Sequence, residues 1–564
     1  MSAVANPEDH QHRSDMSMSD QLSIDLPAID PALPPTLGGF LVDIAGRFGP
    51  REAVAMVDSL QANQRISWTY NELRHQARSI AKALIAAGVG KGGRVGILLG
   101  NRPEFVAALF GVALAGGTAV TLSTFSTRDE LDQLLTLSDI GVLLTQRGIA
   151  RRSLEADIAD LVPTLPSSRY PFLRAIVVLA GEGSAMTTPW DKFLAAGEHT
   201  ADAVLDARAL RVSGNDEAVI IYTSGTTSVP KGVIHLHSTV IKHFRWQAQI
   251  YARHPDTRIA SPFPLFWSAG IVSVLGSTLA AGGLYVADEV FEPGAALQLI
   301  ARERIDEWYG FPTHTAALAD HADWPNADLS SMTRVQGNNE FDGHPNTSPD
   351  PNWYHIVAYG MSESCTSVVS HLSTTPTEIQ LQSAGKPLPG IELRIIDFEN
   401  GHLLDAGQEG EILVRGTTMM PHYAGSRREE SYDDESFFHT GDTGFIDSDG
   451  FLHWTGRIKN MVKTGGANVS SGEVEAAATA LGTLKLCRVI GMPDKRLGEM
   501  VLLCAVKEDG ADVDEDQVRA ALRVKLAAYK VPRRVLFFAT EDYPLTASGK
   551  VKDKELRELA AARL

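Results

Sequence analysis

Two long stretches without a charged residue, Phe105–Thr127 and Trp267–Ala287, limit what this chain can fold into. Each matches the roughly 20 apolar residues that can cross a bilayer. Each is also interrupted by a glycine pair, Gly116-Gly117 and Gly282-Gly283, and ends in a short run of β-formers. Glycine directly after a helical run is a stop signal, because it adopts the left-handed conformation that closes the last turn. A buried helix, a glycine stop and a strand buried on both faces account for both stretches, and no transmembrane anchor is expected. The shared ending Ala-Gly-Gly-x-x-Val, at Ala115–Val120 and Ala281–Val286, suggests two related α/β subdomains with parallel sheets.

The surrounding text supports an α/β chain. Asn71–Ala87 has helical apolar spacing (Leu73, Ala77, Ile80, Ala81, Leu84) and stops at Gly88. Arg94–Leu99 reads as a strand, Pro103–Ala115 as a helix, Thr118–Leu122 as a strand, Arg128–Leu137 as a helix and Gly141–Thr145 as a strand. Arg258–Val286 repeats the plan, with a strand to Pro262 and a small-residue helix before the glycine pair. After Gly390 the texture changes to short alternating strands, Ile391–Asp397, Gly410–Val414 and Gly450–Trp454, as in a small antiparallel barrel or sheet. Beyond the charged connection Arg457–Asn460, helix and strand alternate through Ser471–Leu481, Leu486–Met492, Val501–Val506, Asp514–Leu526 and Val535–Phe538. That is enough chain for a separate small domain, as expected when 564 residues exceed one ordinary core. Residues 1–35 are polar and lack the apolar centre of a signal peptide, and they read as a mostly disordered lead-in.

Charge and cysteine content narrow the function classes. Hydrophobic and charged contents of 44% and 21% are those of a globular protein, and a net charge of −18 argues against a general nucleic-acid or anionic-membrane surface. Any anion must be bound by local lysines, arginines and backbone amides. The three cysteines, Cys365, Cys487 and Cys504, are too few and too scattered for a disulfide framework or a cysteine zinc site, and a reducing cytoplasm is expected.

Six stretches are richer in small, polar and charged residues than folding requires. Val219–Tyr222 reads as a strand running into Thr223-Ser224-Gly225-Thr226-Thr227-Ser228-Val229-Pro230-Lys231-Gly232. Backbone amides, hydroxyls and one lysine suit a polyphosphate, yet Pro230 and Gly232 break the Walker A pattern. Tyr359-Gly360-Met361-Ser362-Glu363-Ser364 follows a strand-like segment, and its carboxylate suits either a ligand at a strand's end or a helix N-cap. His439-Thr440-Gly441-Asp442 places an aspartate at a turn, for a ribose diol or for an ordinary Asx-turn. Arg457, after Gly456, faces a ribose or phosphate or simply ends a strand. Lys463-Thr464-Gly465-Gly466-Ala467 is a glycine-rich turn open to close approach by a ligand. Leu545–Val551 presents Lys550 on a small-residue loop.

In order and spacing these stretches resemble the signature motifs of the adenylate-forming superfamily of acyl- and aryl-CoA synthetases, peptide-synthetase adenylation domains and firefly-type luciferases. The resemblance covers residue 36 to the end. It implies a large N-terminal domain of two α/β subdomains plus a small β-subdomain (36–456), a hinge at 457–460 swinging on Lys459, and a small mobile α+β C-terminal domain (461–564). It implies attack of a carboxylic acid on ATP, giving an acyl-adenylate and pyrophosphate, then transfer to a thiol with release of AMP. Thr223, Ser224, Gly225, Thr226, Thr227 and Lys231 match the phosphate loop. Tyr359, Gly360, Met361 and Ser362 match the nucleotide motif, and Glu363, with Thr226, matches the Mg2+ ligands. Asp442 and Arg457 match the ribose contacts. Lys550 matches the lysine stabilising charge in adenylation, while Lys463, Gly465 and Gly466 match the region that receives coenzyme A.

Departures from the pattern bear on the substrate. Ser228 stands at a usual glycine, Ser362 at a usual threonine, Ser471 at a common proline, and Asn460 where an acidic residue often follows the hinge. Trp267 and Gly270 occupy the acyl-gating stretch, while Gly337-Asn338-Asn339-Glu340 replaces a Gly-Gly-Ala-Pro-like stretch; with Gly360 these are the expected pocket residues. Phe263–Gly270 has no acid to hold an amine, and Ile271, Val274 and Leu275 are apolar, so a fatty, branched, alicyclic or aromatic acid is expected. No carrier domain follows Lys550, so free coenzyme A is the expected thiol, with loading of a separate carrier protein as the alternative. A non-catalytic homologue is disfavoured by intact Lys231, Glu363, Asp442, Arg457 and Lys550. Oligomeric state is not legible.

Overall fold

Both glycine pairs end helices in the computed structural model, which describes residues 23–58, 64–181, 183–223, 230–337, 340–398, 400–458, 461–464, 467–494, 497–526, 530–546 and 550–564. Gly116 caps the wholly buried helix Pro103–Ala115 at φ 82°, and Gly282 caps Ser277–Ala281 at φ 83°. A Cβ on the second glycine of either pair would lie 2.7 Å from a backbone carbonyl, that of Gly93 or Thr257. The next residue donates to the same carbonyl, Thr118 N–H to Gly93 O at 3.0 Å and Leu284 N–H to Thr257 O at 2.8 Å. The repeated sequence ending is thus a repeated piece of structure, in which helix, left-handed stop and parallel strand are locked by one carbonyl.

Two sheets carry these repeats. The seven-stranded sheet runs Lys231–Leu236, Glu217–Thr223, Thr118–Thr121, Arg94–Leu98, Val142–Gln146, Ala175–Leu179 and Thr188–Pro189, parallel except for the first pair. The five-stranded sheet runs Glu307–Trp308, Arg258–Ser261, Leu284–Ala287, Glu52–Asp58 and Gln64–Thr69, with only the last pair antiparallel. Packed helices cover their faces, which explains why central strands such as Val142–Gln146 are buried at every residue.

Local chemistry sets the helix boundaries. Tyr70–Ala86 begins at a capping box in which Thr69 and Glu72 satisfy each other's backbone amides, as the Thr-x-x-Glu spacing dictates. The small-residue helix departs from expectation: Gly270–Gly276 is π-helical before the α-helical turn Ser277–Ala281. The ring of Phe244 is seated against Gly276, where a Cβ would fall 2.1 Å from ring carbons. Residues 23–35, assigned from sequence to the lead-in, are packed in part, with Ile24 buried and its N–H donating to Pro387 O at 2.8 Å.

The chain divides into two compact units, one running to Ile391 and adding Gly416–Tyr432, the other taking Glu392–Arg415 and Asp433–Leu564. This grouping places the antiparallel strands after Gly390 with the C-terminal residues, whereas the sequence reading drew its border at 457–460, of which Lys459 and Asn460 lie outside the described residues. Apart from Ile391 and Gly416, the second unit holds the sheet ordered Ile391–Ile396, Gly410–Gly416, Phe438–Ile446 and Leu452–Arg457, antiparallel along its last three strands. A second sheet orders Ala467–Ser470, Met461–Thr464, Gly498–Lys507 and Leu484–Asp494, with Arg534–Phe537 parallel to Gly498–Lys507. Along Gly498–Lys507 the side chains alternate between two cores: Val501, Leu503 and Ala505 join one, Leu502, Cys504 and Val506 the other. Leu556 and Ala560 of the last helix, Asp553–Ala561, belong to the second core.

Candidate active site

In the first unit the strand Glu217–Thr223 returns antiparallel as Lys231–Leu236, with residues 224–229 outside the described residues. The phosphate-loop motif is therefore framed by a β-hairpin, not by the strand-to-helix turn of a Walker A loop. Lys231 opens the second strand. Gly232 O accepts from Ala424 N–H at 2.7 Å, and Val233 bridges Tyr423, so the segment Met420–Ala424 docks on this strand. Docking brings the Tyr423 ring 4.8 Å from the Lys231 ammonium, and the phenol donates to Glu363 Oε1 at 2.7 Å. Glu363 is tied a second time, since its backbone carbonyl accepts from Met420 N–H at 2.7 Å. Burial and the Glu363 carboxylate push the Tyr423 phenol well above its ordinary pKa, which keeps it a donor.

Of the two readings of the turn bearing Glu363, a strand's end or a helix N-cap, the structure has a strand's end followed by a single 3-10 turn and no α-helix. Ala358–Gly360 is a strand, Ser362–Ser364 a single 3-10 turn, and the chain returns antiparallel along Ser367–Ser370. A Cβ on Gly360 would lie 2.0 Å from Thr366 O, so close crossing of the two strands requires glycine. Behind the turn His243 contacts Ser364 O through Nε2 at 2.9 Å and Thr366 Oγ1 through Nδ1 at 3.2 Å. Burial lowers its pKa to about 4, so the ring is neutral; Nε2 donates to the carbonyl and Nδ1 accepts from the hydroxyl.

The aromatic stretch forms a cluster in the same unit. Phe263 and Phe311 lie 4.4 Å apart between centroids, and Trp267 is 6.3 Å from each. Asn101 pins this turn: its Nδ2 donates to Phe263 O at 2.9 Å and its Oδ1 accepts from Leu265 N–H at 2.8 Å. Gly270 lets the backbone pass Pro264, whose carbonyl would lie 2.0 Å from a Cβ. Gly337 adopts φ +77°; the His355 ring beside it lies 6.4 Å from the Tyr309 ring, which is 5.3 Å from Phe263.

In the second unit Asp442 and Arg457 face each other on adjacent strands, with Arg457 Nε 2.8 Å from Asp442 Oδ1. The aspartate is buried while the arginine is half-exposed. The expected turn at His439–Asp442 is instead the interior of Phe438–Ile446, bent where Gly441 takes φ +68°. Its polar groups are bound locally: Gly441 N–H donates to Glu411 Oε1 at 3.1 Å, and Thr440 Oγ1 to Ile412 O at 2.7 Å. Lys550 is exposed at the base of a hairpin, where its N–H donates to Thr546 Oγ1 at 3.0 Å and its carbonyl accepts from Thr546 N–H at 2.7 Å.

A model of AMP-binding enzymes matches residues 45–424, and one of the AMP-binding enzyme C-terminal domain matches residues 473–550. The chain belongs to the AMP-binding enzyme family. It is 32% identical to a feruloyl-CoA synthase of Amycolatopsis sp over 87% of this chain and 93% of that protein. It is also 32% identical to an octahydro-indenyl-propanoyl:CoA ligase of Mycobacterium tuberculosis, over 87% and 94%. Among solved structures it resembles the anthranilate CoA ligase AuaEII in complex with anthranoyl-AMP, with TM-score 0.78, 25% identity, and 96% and 99% of the two chains covered. These relatives place the chain with AMP-forming acid–thiol ligases. No helix among the described residues is long and apolar enough to cross a membrane.

For an AMP-binding enzyme, two sets of the sequence-assigned residues come together. Lys231 and Glu363 are joined through Tyr423, and Asp442 is joined to Arg457. Ser224, Gly225, Thr226, Thr227, Asn338, Lys459, Gly465 and Gly466 lie outside the described residues, as does the side chain of Lys463. Tyr359, Met361 and Ser362 flank Glu363, with Met361 N–H donating to Thr366 O at 3.1 Å. Tyr423, His243 and Asn101 escaped the sequence reading. Tyr423 is one of 12 tyrosines, in an uncharged Met-Met-Pro-His-Tyr-Ala-Gly stretch whose only signal is a turn-rich insertion between strands.

Proposed function

We propose that this chain is an ATP-dependent acyl-CoA ligase that activates an apolar carboxylic acid through an acyl-adenylate. The observation that carries the proposal is the Lys231–Tyr423–Glu363 constellation, a cation and a fixed carboxylate at the end of the hydroxyl-rich hairpin. In the first step a carboxylate oxygen bonds to the α-phosphorus of ATP and the bond to the bridging oxygen breaks, releasing pyrophosphate. In the second, the thiol sulfur of coenzyme A gives up its proton to solvent and bonds to the acyl carbon, and the bond from that carbon to the AMP phosphate oxygen breaks, releasing AMP. Such transfers depend on positioning and on neutralising charge more than on a protein nucleophile.

Lys231 and the hydroxyls Thr223, Ser224, Thr226 and Thr227 are assigned the β- and γ-phosphates. Glu363, with Thr226, is assigned Mg2+; a hard carboxylate oxygen held by a phenol fits a cation that takes few protein ligands beside phosphates. The ion would neutralise phosphate charge there. Asp442 and Arg457 are assigned the ribose, and Lys550 the charge on the reacting carboxylate and α-phosphate. The Phe263, Trp267 and Phe311 rings support an apolar acyl group. The named substrates of the relatives, feruloyl and octahydro-indenyl-propanoyl groups, agree in class.

Acid-dependent pyrophosphate exchange, run with and without coenzyme A over a panel of carboxylates, tests the reading. Exchange with apolar acids, together with acyl-CoA formation, is expected. Exchange without coenzyme A consumption would instead identify a carrier-loading ligase, and a preference for amino acids would refute the apolar pocket.

A further inference from the structure

A cavity of about 760 Å³ lies between residues 23–35 and the helix His237–Ile250, away from the constellation above: Lys231, Glu363, Tyr423 and Trp267 do not line it. Its volume falls within the roughly 300–1,000 Å³ of small-molecule sites. The wall is largely apolar, with Ile24, Leu26, Leu33, Ile241, Trp246 and Pro389 contributing.

Two half-buried cations, Lys242 and Arg245, interrupt that wall. Arg245 donates to Pro34 O at 3.2 Å and feels the charges of Asp43 and Asp30. Lys242 makes no hydrogen bond or ion pair among the described residues, and burial lowers the pKa of its ammonium. Two carboxylates, Asp25 and Asp30, also line the cavity, but both are exposed to water, and Asp30 already accepts from Ala32 N–H at 2.9 Å. A half-buried cation with no ion pair among the described residues, as Lys242 is, carries a free-energy cost that a bound anion would lower.

We propose that this cavity is a second small-molecule site, for an amphiphilic monocarboxylate whose head pairs with Lys242 and Arg245 and whose apolar chain lies against the Leu26–Trp246 wall. The inference rests on the cavity and its charges, independently of the proposed ligase activity. Charge complementarity selects the head, and the apolar lining selects the chain. Trp246, buried at the cavity wall, supplies a spectroscopic reporter.

The test is calorimetric titration of the full-length protein with decanoate, without ATP, beside decanol as the uncharged control. Lys242→Glu is expected to weaken one class of decanoate site at least tenfold, Lys242→Arg to retain it, and decanol to bind at least tenfold more weakly than decanoate. Leu26→Glu, on the irregular segment, should weaken the same class, and decanoate-induced change in tryptophan emission should fall in Trp246→Phe. Absence of decanoate binding to the wild type, or superimposable isotherms for wild type and Lys242→Glu, would overturn the proposal. Pyrophosphate exchange in Lys242→Glu, expected within twofold of wild type, separates this site from the reaction: loss of exchange in both proteins would sink the ligase reading while leaving the binding comparison intact.

Discussion

At the scale of single residues, Tyr423 and His235 make opposite kinds of contribution. The Tyr423 phenol is charge-assisted onto Glu363, and hydrogen bonds to charged groups contribute about 1.5–3 kcal/mol. Tyr423→Phe keeps the ring over Lys231 and removes only that bond. Its pyrophosphate exchange is expected to fall roughly tenfold or more in kcat/KM, by the 1.4 kcal/mol-per-decade relation, with a raised Mg2+ requirement and little change in Tm. An unchanged Mg2+ dependence would remove Glu363 from the metal assignment. His235 is fully buried, and neither ring nitrogen has a hydrogen-bond partner among the described residues. Burial holds its pKa near about 3 against 6.5 in the unfolded chain. The unfolded state therefore binds the extra proton, so stability is fully present above pH 6.5 and declines as pH falls toward the folded value, by about 1.4 kcal/mol per pH unit per group. His237 and His243, each lowered to about 4, act in the same direction, while the buried Asp288 carboxyl, raised to about 7, opposes them. His235→Leu is expected to raise Tm more at pH 5 than at pH 8; equal shifts at both would show that the ring does not titrate on unfolding.

Among elements, the short strand Glu307–Trp308 is held by charge. Glu307 lies wholly buried between two guanidiniums, 3.1 Å from Arg253 Nε and 3.1 Å from Arg334 Nη1. Arg253 also binds the carbonyl of Ser273, inside the π-helix Gly270–Gly276, so the network ties the edge of the five-stranded sheet to the helix beside the aromatic cluster. Removing one partner of a buried ion pair costs about 3–5 kcal/mol, because the remaining charge stays desolvated. Glu307→Gln should lower the urea midpoint accordingly, whereas a loss under 1 kcal/mol would mean that water reaches the arginines. The glycine pairs show how far element-level reading extends. Helix, stop and strand were legible because glycine after a buried apolar run has one low-cost role. The π-helix was not legible: its tertiary contacts, the Phe244 ring against Gly276 and Arg253 on the Ser273 carbonyl, come from other elements and follow no local period.

For the whole molecule, the separate half-reactions give the sharpest test. Lys550 is assigned to adenylation, on a hairpin of the second unit. Lys550→Ala should reduce acid-dependent pyrophosphate exchange by two or more orders of magnitude, in line with loss of a preorganised charge stabiliser, while thioesterification of a supplied acyl-adenylate stays within a few-fold. Equal losses in both half-reactions would reject the assignment.

The sequence by itself determined the family and the α/β class, because these reside in local patterns: period, glycine stops, and small polar runs at fixed order. Lys231, Glu363, Asp442, Arg457 and Lys550 were nameable before any contact was known. Only the tertiary structure decided what orients them. Tyr423 joins Lys231 to Glu363 because Met420–Ala424 pairs with the strand Lys231–Leu236, nearly two hundred residues earlier in the chain. Asp442 sits inside a strand, not at a turn, because Gly410–Gly416 pairs with that strand on both sides of Gly441 and Leu452–Arg457 pairs with it from Asp442 onward. Such contacts join residues with no shared sequence period, and burial and donor–acceptor geometry fix them only when the chain is folded.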